Sequence, residues 1–358
     1  MRAALFLLLA SLLGAQTPPL ELGPAPTREM FPLYLVTLPY QPVDPTPLGR
    51  GRWQASVVHL RSNTFEFSEV LKERAPTNAA GRVVLTREYV EANAHAYADV
   101  PIVFYFDEEI LRTDFRLRMG LTDRTDLWAE LPFQSHTGGY LDRLIEGFHS
   151  LGFEQYGRDQ VAQDQLTLVV MERGEIRFFN QERLWAKFQD PTLGLTHRLL
   201  ERGPWRVSAY LTVKPPVTTS YGVYRGGWDH GGGLTARWEP HPHHVFYGGF
   251  GLVARPKGSE AYNRDIPGGG FRNGGGFHVG WEGRSSPRWR PYLQLFGQSG
   301  YLRRLPYQKL DRPSLQHDVG LHWLLGPRTA ATFRYLNNIT HNANTADMSL
   351  GLSLTHQF

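Results

Sequence analysis

A chain of 358 residues with no cysteine has no disulfide framework, no thiolate metal site and no cysteine to carry a lipid anchor. Its formal charge of +4 is spread along the chain, which argues against a nucleic-acid partner. Aromatics make up 13%, glycine stands at 37 and mean hydropathy is -0.37; these values suit a secreted β-sandwich or a transmembrane β-barrel, where lipid-facing and lumen-facing residues cancel in any running average.

The opening "MRAALFLLLASLLGAQ" carries one charge, Arg2, then an apolar run from Ala3 to Leu13 and small residues at Gly14 and Ala15. It reads as a secretory signal over 1–15, cut after Ala15. After it, no stretch approaches the ~18 apolar residues of a spanning helix. Residues 16–50 hold "TPPLELGPAP" and "PYQPVDPTPLG" around a short apolar "FPLYLV", too proline-rich for a helix or a central strand. They are expected on the periplasmic side, either tucked into a barrel mouth or as a loose linker.

From 51 to 358 the pattern has period two. In "LRTDFRLRMGL", Leu111, Thr113, Phe115, Leu117, Met119 and Leu121 alternate with Arg112, Asp114, Arg116, Arg118 and Gly120. A polar turn, Thr122 to Asp126, leads to Leu127, Ala129, Leu131 and Phe133 on one face, which makes a hairpin. The same unit recurs, and strands are expected near 52–62, 108–121, 127–135, 192–200, 205–213, 227–239, 244–254, 274–282, 289–300, 314–325, 329–337 and 347–358. Short connections such as "ERGP", "EPHPHH", "GRSSPR" and "GPR" alternate with longer ones, as at the two ends of an outer-membrane barrel with short turns facing the periplasm. The expected fold is therefore an all-β transmembrane antiparallel barrel of about 12 strands. In the long outer loop 136–191, "QLTLVVMERGEIRFF" reads either as a hairpin above the membrane or as two more wall strands, which would make 14.

Within that loop Tyr140, Leu141, Leu144, Ile145, Phe148 and Leu151 recur at helical spacing. A short amphipathic helix here would constrict the lumen, lie on the membrane interface or cap the barrel. The stretch "FRLRMGLTDRTDLWAELPFQSHTGGYLDRLIEGFHSLGF", then "GRDQ" and "TLGLTHRLLERGPW", resembles the bacterial family catalogued as domain of unknown function 3187. The likeness is dense over roughly 105–205, and Phe31, Pro32 and Leu33 also fit it. The resemblance implies an exported outer-membrane barrel with a helix-bearing loop and leaves the mechanism open.

With the charged face turned inward, the lumen is lined by Arg112, Asp114, Arg116, Arg118, Glu130, Arg198, Arg206, Lys214, Arg237, Arg290, Asp318 and Arg334, with Glu239 and Glu282 beside them. Two readings stay open: a net-basic lumen whose field favours anions, or charges that pair with one another and plug a narrow barrel. The function expected is a narrow channel or uptake protein for a small solute, with outer-membrane lipid and the outer-membrane assembly machinery as partners. A lipid-modifying enzyme would draw on His136, Glu146 and His149, beside Ser135 and Thr137, but no lipase-type signature joins a serine to a histidine. A structural or adhesive barrel is the third reading. His241, His243 and His244 fall in a short turn without a carboxylate at regular spacing, so no metal is assigned; "GGGFRNGGG" precedes a strand instead of opening a helix, so no phosphate cofactor is assigned either. At the C-terminus Met348, Leu350, Leu352, Leu354, His356 and Phe358 alternate with small polar residues. That is a closing strand, and Phe358 resembles the terminal aromatic by which the assembly machinery recognises barrels.

Overall fold

The computed structural model describes residues 20–149, 158–220, 223–224, 226–256, 269–303, 310–340 and 345–358. The signal expected over 1–15, and Leu151 of the expected helix, lie outside the described residues. In chain order the strands are β1 (Trp53–Phe67), β2 (Ile102–Gly120), β3 (Thr125–Thr137), β4 (Thr167–Glu172), β5 (Glu175–Asn180), β6 (Leu184–Phe188), β7 (Thr192–Arg202), β8 (Trp205–Lys214), β9 (Thr219–Ser220) and β10 (Val223–Tyr224). They continue with β11 (Asp229–His241), β12 (His244–Ala254), β13 (Gly274–Gly283), β14 (Trp289–Gln298), β15 (Ser314–Gly326), β16 (Thr329–Asn338) and β17 (Met348–Gln357). Helices α1 (Val70–Arg74), α2 (Arg87–Asn93) and α3 (Leu141–His149) fall between them.

Twelve of these strands close a barrel in which each runs antiparallel to its neighbours, in the order β1, β2, β3, β7, β8, β11, β12, β13, β14, β15, β16, β17. Closure is made by β17 on β1, with Gln54 opposite Gln357 and Asn63 opposite Met348. The Phe358 N–H adds one more bond, to the Trp53 carbonyl at 2.8 Å. A sheet in hydrocarbon cannot leave an edge of unpaired amides, so this last pairing is what allows the other eleven to sit in lipid. Outward positions are apolar and uncovered, among them Phe115, Leu211, Phe250, Leu352 and, 72% exposed, Leu252; a continuous band of this kind needs a lipid solvent. Near the short turns, Trp205 stacks on Trp238 at 5.2–5.4 Å ring separation, as Trp289 does on Trp323, the aromatic girdle of a membrane interface.

β2 is 19 residues long, about 60 Å at ~3.3 Å per residue, far more than the ~30 Å hydrocarbon layer requires. Its first residues stand beyond the barrel at the long-loop end and pair with β4, Ile102 opposite Glu172. The segment that left twelve or fourteen open is thus a hairpin, β4 with β5, extending β2 above the wall, and the wall has twelve strands. One face of this extension carries Phe65, Phe67, Tyr105, Val169 and Met171 against Leu71 of α1, Val90 of α2 and Tyr97. The other, with Phe104, Phe106, Leu168 and Val170, faces the barrel axis.

Helix α3 lies against the outside of the rim. Asp142 accepts from Asn63 Nδ2 at 2.7 Å, Glu109 takes the Leu141 N–H, and the Arg61 guanidinium sits 3.7 Å over the Tyr140 ring. Arg61, Asn63 and Glu109 occupy the same outward faces of β1 and β2 as the lipid-facing Val57 and Phe115, so the helix does not constrict the lumen. Leu141 and Ile145 are buried against the rim while Leu144 and Tyr140 are exposed, as suits an interfacial helix. The side chains of Phe148 and His149 lie outside the described ones.

The proline-rich segment expected at the periplasmic mouth instead runs through the lumen. It enters at the short-turn end, where the Leu20 N–H bonds to the Pro327 carbonyl, and climbs to a 3-10 turn at Pro32–Val36. It then descends to Leu48, whose N–H donates to Asp126. Prolines keep it from joining the wall as a thirteenth strand, since they lack the N–H a ladder needs. The tip, with Phe31, Leu33, Tyr34 and Val36, packs into the apolar cluster of Phe104, Phe106 and Tyr301 and stops the long-loop end.

Gly194 stands in register with Trp128, and a Cβ there would meet the indole at 2.2 Å. Gly194→Ala should therefore destabilise the barrel by about 1–3 kcal/mol through overpacking, read as a lower midpoint of heat- or denaturant-induced unfolding. In a Trp128→Ala background the penalty should vanish.

Candidate functional site in the lumen

The lumen is organised as layers of polar contact between wall and plug. At the short-turn end Glu21 receives Arg237 Nη1 at 2.9 Å and Arg284 Nη2 at 2.7 Å, and Glu239 bridges the same two arginines. Burial would raise the Glu21 carboxyl, but the two guanidiniums outweigh it and hold it down at about 2. On the descending limb Asp44 meets Arg118 at 2.7 Å, and Arg118 also grips Asp126 at 2.5 Å. Val43 and Pro45 offer their carbonyls to Thr235 and Ser208.

Halfway up, Thr27 donates to Asp318 at 2.5 Å and accepts from Gln294 Nε2 at 2.6 Å, while Arg334 pairs with Asp318. Arg28 reaches across to Glu130, which also takes Arg112 and Arg116; Arg112 Nε lies 2.8 Å from Asp114 Oδ1. Higher still, Lys214 binds Asp190 at 2.6 Å and the Val36 carbonyl at 3.2 Å, and Asp229 accepts from Thr37 and the Leu38 N–H.

All twelve charges assigned to the lumen from the sequence face inward. Arg290 caps the Leu20 carbonyl, and Arg198 and Arg206 pair with Glu201 near the short-turn end. The picture of a net-basic field over an open lumen is corrected by their partners: each of these arginines and Lys214 meets a carboxylate or a carbonyl. Charge buried in so narrow a space is tolerated only when paired. The sequence alone did not reveal the plug's share, Glu21, Thr27, Arg28, Glu29, Thr37 and Asp44, because no periodicity marks them.

The residues named for catalysis do not converge. His136 Nδ1 lies 3.0 Å from Glu108, fully buried on the inner face. Ser135, its neighbour on the strand, points to the opposite face and accepts the Ala186 N–H. Glu146 is on α3 outside the rim, paired with Arg82 at 2.8 Å. His241, His243 and His244 sit at the turn between β11 and β12.

Between plug and wall a cavity of about 130 Å³ is left in the short-turn half of the barrel. Both limbs bound it, through Pro24, Pro26 and Pro42, and the wall contributes Arg116, Trp128 and Arg334. Its far side is the arc of β16, β17 and β1, with Thr332, Ser353 and Ser56. Above it an apolar ceiling of Met30, Leu35, Leu60, Ile110 and Leu336 separates it from the long-loop end.

Among the described residues, Glu29 is the plug's one acidic anchor without a cation. Oε1 accepts the Met30, Phe31 and Ala346 N–H groups, each at 3.0 Å, and Oε2 accepts Gln298 and Gln316 at 3.2 and 2.7 Å. Burial nevertheless raises its carboxyl from 4.5 to about 7, against the pull of those backbone donors. Among the described residues the buried Gln316 Oε1 has no partner, so an amide flip lets a protonated Glu29 donate to it. A group raised on docking supports docking fully below about 4.5 and loses that support, of order 3 kcal/mol, as pH rises through about 7. Glu21 has the opposite sign: its contribution is present above 4.5 and lost as pH falls towards 2. Thermal unfolding followed from pH 4.5 to 8 should show a midpoint that falls with rising pH in the parent chain, and a flatter profile in Glu29→Gln. Parallel profiles would refute the assignment.

The family model described as Protein of unknown function (DUF3187) matches residues 66–358. Phe31, Pro32 and Leu33 fall outside that range. No curated protein matches the chain. Among solved structures, the COG4313 outer membrane channel from Pseudomonas putida F1 is 13% identical, with a TM-score of 0.51 over 88% of this chain and 99% of that one. The NanC porin is 8% identical, with a TM-score of 0.42 over 84% of this chain and 98% of that one. The KdgM porin is 5% identical, with a TM-score of 0.39 over 84% and 99%. The first of these likenesses shows a shared fold, that of an outer-membrane β-barrel. Since the family model covers most of its length, including the whole of every wall strand except β1, of which it takes in only the end, the chain belongs to the DUF3187 family.

Proposed function

We propose that the protein is exported by its signal segment to the outer membrane of a diderm bacterium and works there as a narrow, gated channel for a small solute, with residues 20–48 as the gate. In this reading the short turns and both chain ends lie in the periplasm, the assembly machinery engages Phe358, and α3 rests on outer-leaflet lipid. The observation that carries it is how the plug is held. Along both limbs it meets the wall through ion pairs and hydrogen bonds, which water can replace once it fills the space that a withdrawn segment vacates, and a cavity lies beside it. A segment with a purely structural task would be expected to pack dry and leave no space. The Pseudomonas putida F1 barrel that shares this fold is an outer membrane channel, which agrees with this reading.

In planar bilayers the full chain should show small, infrequent openings, and a chain lacking residues 20–48 a steady conductance at least about tenfold larger, as an unplugged barrel lumen allows. Glu21→Gln with Asp44→Asn, which removes the plug's ionic hold on Arg237, Arg284 and Arg118 and leaves them their wall carboxylates, should lengthen the openings of the full chain. A folded barrel that stays silent after removal of the segment would sink the proposal.

A further inference from the structure

We infer that the cavity between plug and wall is a binding site for a small monocarboxylate. This names the solute class of the channel proposed above and rests on that reading for its biological meaning, though not for the binding itself.

The argument begins with hydrogen-bond supply. Among the described residues lining the cavity, every buried side-chain nitrogen or oxygen left without a partner is a nitrogen donor: Gln41 Nε2, Arg116 Nε and Arg334 Nε. Gln41 is only 7% exposed, and its carbonyl is already used, accepting from Arg116 Nη2 at 3.1 Å. These three nitrogens are shut off from the cavity itself, but Arg116, a quarter of whose side chain is exposed, bonds to Gln41 and Glu130 through Nη2, so the rest of its guanidinium edge is open to an occupant that brings acceptors.

Charge and size narrow the class further. Arg116, Arg118 and Arg334 line the cavity with a single carboxylate, Asp44, among them. Glu130 and Asp318 stand behind Arg116 and Arg334 and neutralise part of that charge. Asp126 stands behind Arg118 in the same way, so the surround carries no excess of charge for a dianion, and a single negative charge is held by local contact with Arg116. Arg116 keeps a quarter of its side chain exposed even while paired with Glu130, so its guanidinium is the natural anchor for a carboxylate. The rest of the wall there is apolar, with Pro24, Pro26, Pro42, Val58 and the Trp128 ring. A volume of about 130 Å³ compares with the roughly 150 Å³ that holds a benzene molecule, so the body of the acid is no larger than a single small ring or a short chain.

Isothermal titration of the full chain in detergent, at pH 7, with butyrate and with its uncharged amide isostere butyramide tests this directly. Butyrate should bind at least about tenfold more tightly than butyramide, as a charge-assisted contact requires. Arg116→Met should weaken butyrate by about tenfold or more and leave butyramide unchanged. If Arg116→Met fails to fold, Val58→Phe, which fills the cavity without touching a donor, should abolish butyrate binding. The inference is overturned if the folded parent takes up no butyrate, if butyrate and butyramide bind alike, or if whichever variant folds binds butyrate like the parent. Binding without conductance would leave this site standing and remove the channel, while conductance without binding would remove the site alone.

Discussion

The structure depends on one electrostatic constraint: a twelve-stranded wall encloses more space than its own side chains fill, yet too little for free solvation of the charges it turns inward. Glu130 shows the consequence. It faces Arg112 and Arg116 from its own wall, and the third cation, Arg28, arrives from the plug. Arg118 has Asp126 in the wall and Asp44 in the plug, and Arg237 has Glu239 in the wall and Glu21 in the plug. The wall is left incompletely compensated, and the N-terminal segment completes it. Plug and barrel are thus one electrostatic unit.

The same division explains what could be read in advance. Every wall strand was legible because lipid on one side and polar lumen on the other impose a strict period of two, and the expected spans fall on the observed ones to within a few residues. The start of β2 was not: "IVFYF" is buried on both faces, under the tip of the plug on one side and under α1 and α2 on the other, and a doubly buried strand loses its alternation. The outer hairpin was ambiguous for a related reason, since all but the last residue of β4 is buried. Inward charges could be assigned to a face, but not to partners. Thr27 and Asp318 are 291 residues apart, and no local pattern announces such a contact. The plug was hardest to see because its prolines erase periodicity, the very property that keeps it out of the sheet.

Helix α3 was legible as a helix and illegible in place. Its amphipathic spacing allowed lumen, interface or cap, and the choice is made by residues elsewhere in the chain. Asn63 and Glu109 present polar groups on the outward faces of β1 and β2 just above the lipid band, and Asp142 with the Leu141 N–H answers them. Gly139, at φ 66°, makes the bend, and its missing side chain leaves room for Glu109, which a Cβ would approach to 1.8 Å. The glycine at this bend is therefore a packing requirement of the rim as well as a conformational one.

The plug is held unequally along its length, and that inequality sets how it can move. Its limbs are bound by polar pairs that water can take over only as it fills the space a departing limb vacates. Its tip buries Phe31, Leu33, Tyr34 and Val36, a loss of order several kcal/mol if exposed, since each large apolar side chain contributes about 1.5–3 kcal/mol. Loosening therefore begins at the short-turn end and travels upward, with the tip released last. The cavity lies beside the limbs, in the half that loosens first, and the apolar ceiling of Met30, Leu35, Leu60 and Ile110 separates it from the half that holds. Glu29 stands at that boundary, one residue before Met30 and two before Phe31. Its hydrogen bonds to Gln298, Gln316 and Ala346 tie the polar region to the apolar one. A change in its proton occupancy acts where the two regimes meet, which makes it the point from which a small perturbation spreads in both directions.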